Sequence, residues 1–217
     1  MMTPSANRNR IQDIRHYRQA DTAITTIPSA SPSPFKDLIF PLNVYAHALL
    51  QEGKADYLHY GLFQDNETSL KAAQQFSTDL LLKKLPPPPC RILEIGVGLG
   101  TTFSLLRQHG YDVHGITPDS RQIAYIQESQ GAVAAAVSCH SLEAFTAEPG
   151  SFDVILFQES AQYIDPLVIF NQALDLLPPA GQLFIIDEFT LRHDATRPGG
   201  LHRIDNVITL AGRLGFE

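Results

Sequence analysis

The stretch Ile92-Leu93-Glu94-Ile95-Gly96-Val97-Gly98-Leu99-Gly100 constrains this 217-residue chain more than any other. A short apolar run ends around a carboxylate, three alternating glycines follow, and a helix-forming segment starts at Thr101. Glycines here permit a tight strand-to-helix turn and let a ligand lie against bare backbone. Backbone N–H groups at the helix start then face that ligand. A ligand-free turn has no need of three such glycines. A dinucleotide fingerprint requires its third glycine one position later, where Thr101 stands. Glu94, two residues before the first glycine, is unsuited to a purely anionic ligand and suits one that carries an ammonium group.

The surrounding pattern predicts a parallel sheet. Strands are expected at Arg91–Ile95, Tyr111–Ile116, Val133–Val137, Phe152–Phe157 and Gln182–Ile186. Helices are expected at 101–109, from Asp119 to Glu128, from Pro166 (capped by Asp165) to just before Pro178, and at Leu201–Leu214, with a short turn holding Leu142 and Phe145. Such alternation predicts an α/β fold, a Rossmann-like parallel sheet with helices on both faces. Upstream, Ser69 caps a predicted helix to Lys84 with Leu70, Ala73, Leu80 and Leu81 inward, and Pro86 to Pro89 stop it. Leu38, Leu42, Tyr45 and Leu49 follow one helix face, with Pro41 at the first turn and Gly53 past the end. The domain reading is a flexible tail over 1–35, a helical lid segment over 36–85 and the core over 86–217.

Composition narrows the class. A chain with 44% hydrophobic and 18% charged residues is ordinary globular protein. A net charge of −7 speaks against a general nucleic-acid binder. Two cysteines, Cys90 and Cys139, form no metal cluster and read as reduced thiols of a cytoplasmic protein. No metal site is expected. No apolar run reaches the ~18–20 residues of a membrane span. Arg8, Arg10, Arg15 and Arg18 lie in a segment without the apolar core of a signal peptide.

The glycine loop, taken with four later segments and "YLHYGLF" at 57–63, resembles motif I and its partners in class I S-adenosylmethionine-dependent methyltransferases. The resemblance covers 57–217 and implies S-adenosylmethionine as cofactor, with Glu94, Gly96, Val97, Gly98 and Gly100 around it. "GITPDSRQIAYIQ" (115–127) is similar to the cyclopropane and mycolic acid synthase subgroup, which implies that Thr117 and Gln122 hold the ribose hydroxyls. Asp119 or Ser120 is also a helix cap there. "SCHSLEAF" (138–145) implies Ser141 and Leu142 at the adenine edge, with His140 a solvated loop residue. "FDVILFQESAQYIDP" (152–166) resembles motif IV and implies Gln158 and Glu159 beside the donor, with Gln162 and Tyr163 toward the substrate mouth. The subgroup's acid and histidine near Gln162 and Tyr163 are absent, which disfavours cyclopropanation. The N-terminal lid implies contacts from His59 and Tyr60 to the donor's amino-acid end, or else packing by Tyr57, Tyr60 and Phe63.

Asp187 and Glu188 end the fifth strand, as substrate-orienting groups or as loop caps. His193 and His202 lie in the polar segment beyond. No nucleophile motif occurs, and none is needed when the cofactor carries the activated carbon. The expected function is methyl transfer to a small-molecule or lipid acceptor, with no base identified. The alternatives are a non-catalytic cofactor-binding or interaction module and a NAD-dependent oxidoreductase. The family sheet has seven strands; the chain stops at Glu217, so its final strands are expected to be missing.

Overall fold

The computed structural model describes residues 56–66, 68–191 and 201–217. The expected tail, the helix through Leu38 and Leu49, Gly53 and His193 lie outside them. The described chain runs α1 (Leu70–Lys84), β1 (Arg91–Ile95), α2 (Thr101–Gln108), β2 (Asp112–Thr117), α3 (Ser120–Gln130), β3 (Val137–Cys139), β4 (Val154–Gln158), α4 (Pro166–Leu176), β5 (Gln182–Ile186) and α5 (Ile204–Arg213). Short 3₁₀ turns occupy Gly131–Ala136, Leu142–Ala144 and Ala161–Tyr163.

The five strands form one parallel sheet in the order β3-β2-β1-β4-β5. Ile92 pairs with Val113 on one side and Val154 on the other, which centres β1. All five residues of β4 are buried, as a strand covered on both faces requires. Alternate side chains feed two cores. Ile92, Val113, Val154 and Leu156 meet Leu81, Phe103, Leu106 and Ile126, so α1, α2 and α3 cover one face. Leu93, Ile95, Ile155 and Phe157 meet Ile169, Ala173 and Leu176 of α4 on the other. Phe103 and Phe157 are fully buried, each contributing about 2–3 kcal/mol of apolar burial. The sheet's order reverses between β1 and β4, so a crevice opens at their carboxyl ends.

Local chemistry sets the helix starts. Ser69 Oγ accepts from the N–H of Ala72 at 3.2 Å. Asp119 and Asp165 accept from the N–H groups of Arg121 at 2.9 Å and Leu167 at 2.8 Å. α1 ends at Leu85, whose backbone is extended ahead of Pro86.

Three expectations change. The third strand is not Val133–Val137. Gly131 turns the chain after α3, residues 131–136 coil as a 3₁₀ helix, and the strand is Val137–Cys139, where β2 offers partners. The alanine run has little strand preference to resist this. α5 starts at Ile204, later than Leu201, and none of its residues is buried. The third change concerns α1, where Leu70 and Leu80 are only half-buried. The buried face is Ala73, Gln74, Ser77, Thr78 and Leu81, largely polar.

Two hydroxyls of that face, Ser77 and Thr78, meet one side chain of the sheet. Gln158 Oε1 accepts from Thr102 Oγ1 at 2.7 Å, and its Nε2 donates to Ser77 Oγ at 3.1 Å and Thr78 Oγ1 at 3.3 Å. One buried amide therefore ties α1, α2 and β4 together. Replacing Gln158 by Leu keeps the volume and takes one partner from each of these buried hydroxyls, Thr78 retaining its bond to Gln74 O. The expected loss is about 2–3 kcal/mol of unfolding free energy in urea titration. Unchanged stability would mean that the amide does not hold α1 in place.

Candidate functional site

At the carboxyl ends of β1, β2 and β4 lies a cavity of about 460 Å³, within the size range of small-molecule sites. Its floor is the glycine loop. Gly96 has φ +78°, and a Cβ there would stand 2.5 Å from Ser160 Cβ, so only glycine fits. The N–H of Gly96 donates to Ile116 O at 2.8 Å, which pins the loop to β2.

Glu94 is the most unusual group of the site. It is 3% exposed, it lines the cavity, and its Oε2 has no hydrogen-bond partner among the described residues. Burial pushes its carboxyl up to about 8. An unpartnered buried carboxylate oxygen is costly, and a cationic ligand group would satisfy it.

On the β2 side, Thr117 donates to Gln122 Oε1 at 2.8 Å, and its own Oγ1 accepts from the Asp119 N–H at 3.3 Å. Both side chains are buried and both line the cavity, leaving the amide nitrogen of Gln122 as a donor. Ser141 and Leu142 form the wall below β3, with Leu142 2% exposed. His140 is exposed and also lines the cavity, its Nδ1 3.2 Å from Ser138 Oγ.

The remaining wall comes from the segment ahead of α1. Glu159 Oε2 accepts from the Tyr60 N–H at 2.7 Å, and Oε1 accepts from the Gly61 N–H at 2.6 Å. Gly61, at φ +79°, packs so tightly that a Cβ would lie 2.4 Å from the Ala73 backbone. Gln74 Nε2 donates to His59 O at 2.6 Å. Tyr57 is buried, and its ring lies 4.7 Å from that of His59. Glu159 itself takes the left-handed φ of +55°, a conformation costing about 1–2 kcal/mol outside glycine. Its N–H bond to Ile186 O at 2.7 Å and its two carboxylate bonds hold it there.

The cavity thus gathers Glu94, Gly96, Val97, Gly98, Thr117, Gln122, Ser141, Leu142, Gln158, Glu159 and His59. Gly100 and Tyr60 do not line it. Gly100 caps α2, where a Cβ would meet Gln130 at 2.9 Å and Ile126 at 3.0 Å. The Tyr60 side chain is 46% exposed, and its backbone is what meets Glu159. Of the residues expected at the substrate mouth, Tyr163 lines the cavity and Gln162 does not.

Asp187 and His202 act on the turn beside that mouth. Asp187 accepts from the N–H groups of Gln162 at 3.0 Å and Glu188 at 2.8 Å, and burial pushes its carboxyl up. His202 Nε2 lies 2.9 Å from Ile164 O and 3.2 Å from Ala161 O, so it donates to the turn. It is neither solvent-facing nor part of the cavity lining. Ser160 and Thr102 also line the cavity, and the sequence carries no motif that marks them. Ser160 donates to Ile95 O at 2.5 Å, joining the exits of β4 and β1.

Comparisons with known proteins bear on the family and the fold. A family model described as a methyltransferase domain matches residues 66–205. A ubiquinone biosynthesis O-methyltransferase of Xylella fastidiosa (strain 9a5c) is 28% identical over 120 residues, 54% of this chain and 49% of that protein. The chain therefore spans about half the length of the curated relative it matches. Among solved structures, the cyclase SpnF superposes with a TM-score of 0.69 at 23% identity, covering 89% of this chain and 75% of that one. The cyclopropane synthase MmaA2 of Mycobacterium tuberculosis gives 0.59 at 24% identity, covering 76% and 72%. These two likenesses concern the fold.

Glu94 makes the ligand-free protein pH-sensitive. Its raised value means that the folded state keeps a proton the unfolded state has released, between the unfolded value of 4.5 and about 8. Stability therefore falls as pH rises through that window. Glu94→Gln removes this loss. The variant is expected to match the wild type near pH 4.5 and exceed it by an amount on the order of 4 kcal/mol at pH 8 and above. Parallel pH-stability curves in urea would contradict the burial of an unpaired carboxyl.

Proposed function

This chain belongs to the methyltransferase-domain family, and from that premise we propose that it binds S-adenosylmethionine in the cavity and transfers its methyl group to a small-molecule or lipid acceptor. The observation that carries the reading is the orphaned Oε2 of Glu94 beside the bare Gly96–Gly98 backbone. The donor bears an ammonium group, and Glu94 is the acceptor waiting for one. Thr117 and Gln122 offer hydrogen bonds at the place suited to ribose hydroxyls. Ser141 and Leu142 offer a flat wall for adenine. The donor set thus fits the cofactor that the resemblance implies.

When bound, the cofactor supplies a methyl group activated by a sulfonium leaving group. The chain's residues bind, align and exclude water. Glu94 anchors one end of the donor, and the Thr117–Gln122 pair anchors the middle. Gln158 and Glu159, whose polar atoms are engaged with α1, α2 and the turn at Tyr60–Gly61, close the cavity from the lid side. The acceptor enters past Tyr163 and Ile164.

Calorimetric titration tests this reading. S-adenosylmethionine and S-adenosylhomocysteine are expected to bind saturably, and NAD is not. Gly96→Val places side-chain atoms on Ser160 and is expected to abolish binding. Thr117→Val removes one hydroxyl and is expected to weaken binding about tenfold. A folded wild-type protein that binds neither sulfur compound would end the proposal.

A further inference from the structure

His59 is buried against the cavity with unused chemistry. Its side chain is 9% exposed, and neither ring nitrogen has a hydrogen-bond partner among the described residues. Nδ1 stands 3.6 Å from Glu159 Oε1, whose side chain is 10% exposed. That separation exceeds a hydrogen bond, so the contact leaves Nδ1 without a hydrogen-bond partner among the described residues. Protonation would turn the same contact into a short-range ion pair in a place with little solvent. Nδ1 faces the carboxylate, so Nε2 lies on the far edge of the ring.

The surroundings fix this arrangement. Glu159 cannot swing away without giving up the Tyr60 and Gly61 N–H groups. The His59 backbone is tied to Gln74 through its carbonyl, and the Tyr57 ring sits against the imidazole. At the exit of β4, the other wall of the mouth, Tyr163 and Ile164 stand, with no histidine or acid among the cavity-lining residues between Ser160 and Ile164.

Resting on the methyl-transfer reading above, we propose that His59, oriented by Glu159, is the general base of the reaction and that the acceptor is a phenolic hydroxyl. The chemistry selects this class. An imidazole takes protons near neutral pH. A phenol, like a tyrosine side chain with its value near ~10, is within reach of such a base when pre-aligned. An alkene, a thioether or a tertiary amine has no proton to give and leaves the dyad without a purpose. The apolar, aromatic character of Tyr57, Tyr163 and Ile164 suits a ring.

The step balances simply. The hydroxyl proton passes to His59 Nε2 and the oxygen bonds to the methyl carbon. The carbon–sulfur bond breaks with its electron pair left on sulfur. The imidazolium, stabilised by Glu159 while it exists, returns its proton to water. Because the ion pair forms only as the proton moves, Glu159 favours the transition state over the ground state.

The test uses two probes, catechol and 4-nitrocatechol, the second already ionised at pH 8, with S-adenosylmethionine as donor. The wild type is expected to methylate both. His59→Gln is expected to lower kcat for catechol by a hundredfold or more and to spare 4-nitrocatechol within about threefold. Donor affinity, measured by calorimetry, should change less than about threefold. Glu159→Gln, which keeps one acceptor oxygen for the turn, is expected to show the same selectivity in weaker form. An equal loss for both probes, or no loss for either, would overturn the base assignment. Donor binding without transfer to either probe would overturn the phenolic acceptor and leave the donor reading standing. Absence of donor binding in the wild type would remove the premise itself.

Discussion

A carboxyl group at the end of the central strand, buried with one oxygen unpartnered, is an expensive thing for a fold to keep. Glu94 sits there because β1 lies in the middle of the sheet, covered on both faces, and because the chain must turn immediately afterwards. The rest of the cavity follows from that placement. The bare glycine loop leaves space above the carboxyl. Ser160 fills the place where a Gly96 side chain would otherwise stand. The carboxyl ends of β2 and β4 supply walls on either side. The ligand-free protein gives up stability above the unfolded value of this carboxyl to keep it buried.

The second constraint is the polar connection of the sheet to α1 and to the segment ahead of it, which runs beside the apolar contact of Leu81. Gln158 bonds three hydroxyls, and Glu159, the next residue, bonds two backbone amides. Apolar contact alone would let α1 slide along the sheet face. Directional bonds give it one position, and with it one position for Tyr57 and His59. Turning Glu159 into the left-handed region is the local cost of aiming its carboxylate back at that turn. Two adjacent residues at a strand end thus decide where the cavity's roof lies.

Much of this was legible in the sequence. The glycine loop, the strand–helix alternation and the caps at Ser69, Asp119 and Asp165 are local signals, and each sits where its chemistry requires. Glu94 stands out by its place just ahead of the glycines, Thr117 and Gln122 are implied by the family resemblance, and all three line one cavity. What escaped depends on contacts between distant segments. The helix Leu70–Lys84 reads as apolar at its leucines, yet its buried face includes Gln74, Ser77 and Thr78, because Gln158 meets the two hydroxyls and the His59 carbonyl meets Gln74. His202 reads as a loop histidine, and only the fold places two carbonyls beside it. The alanine run at 134–136 carries too little preference to announce a 3₁₀ turn before a three-residue strand. Gly100 fits a ligand motif by spacing and serves packing by position.

On donor binding, Glu94 is expected to exchange a proton for the ammonium group of the donor. Proton release on binding tests it most directly. S-adenosylmethionine would be titrated into the protein at pH 6.5 in buffers of widely different ionisation enthalpy. At that pH the empty site holds Glu94 protonated, with its value near 8, and pairing with the ammonium requires it ionised. Release of about one proton per donor bound is expected, absent in Glu94→Gln. Tight binding with no proton exchanged by the wild type would contradict it.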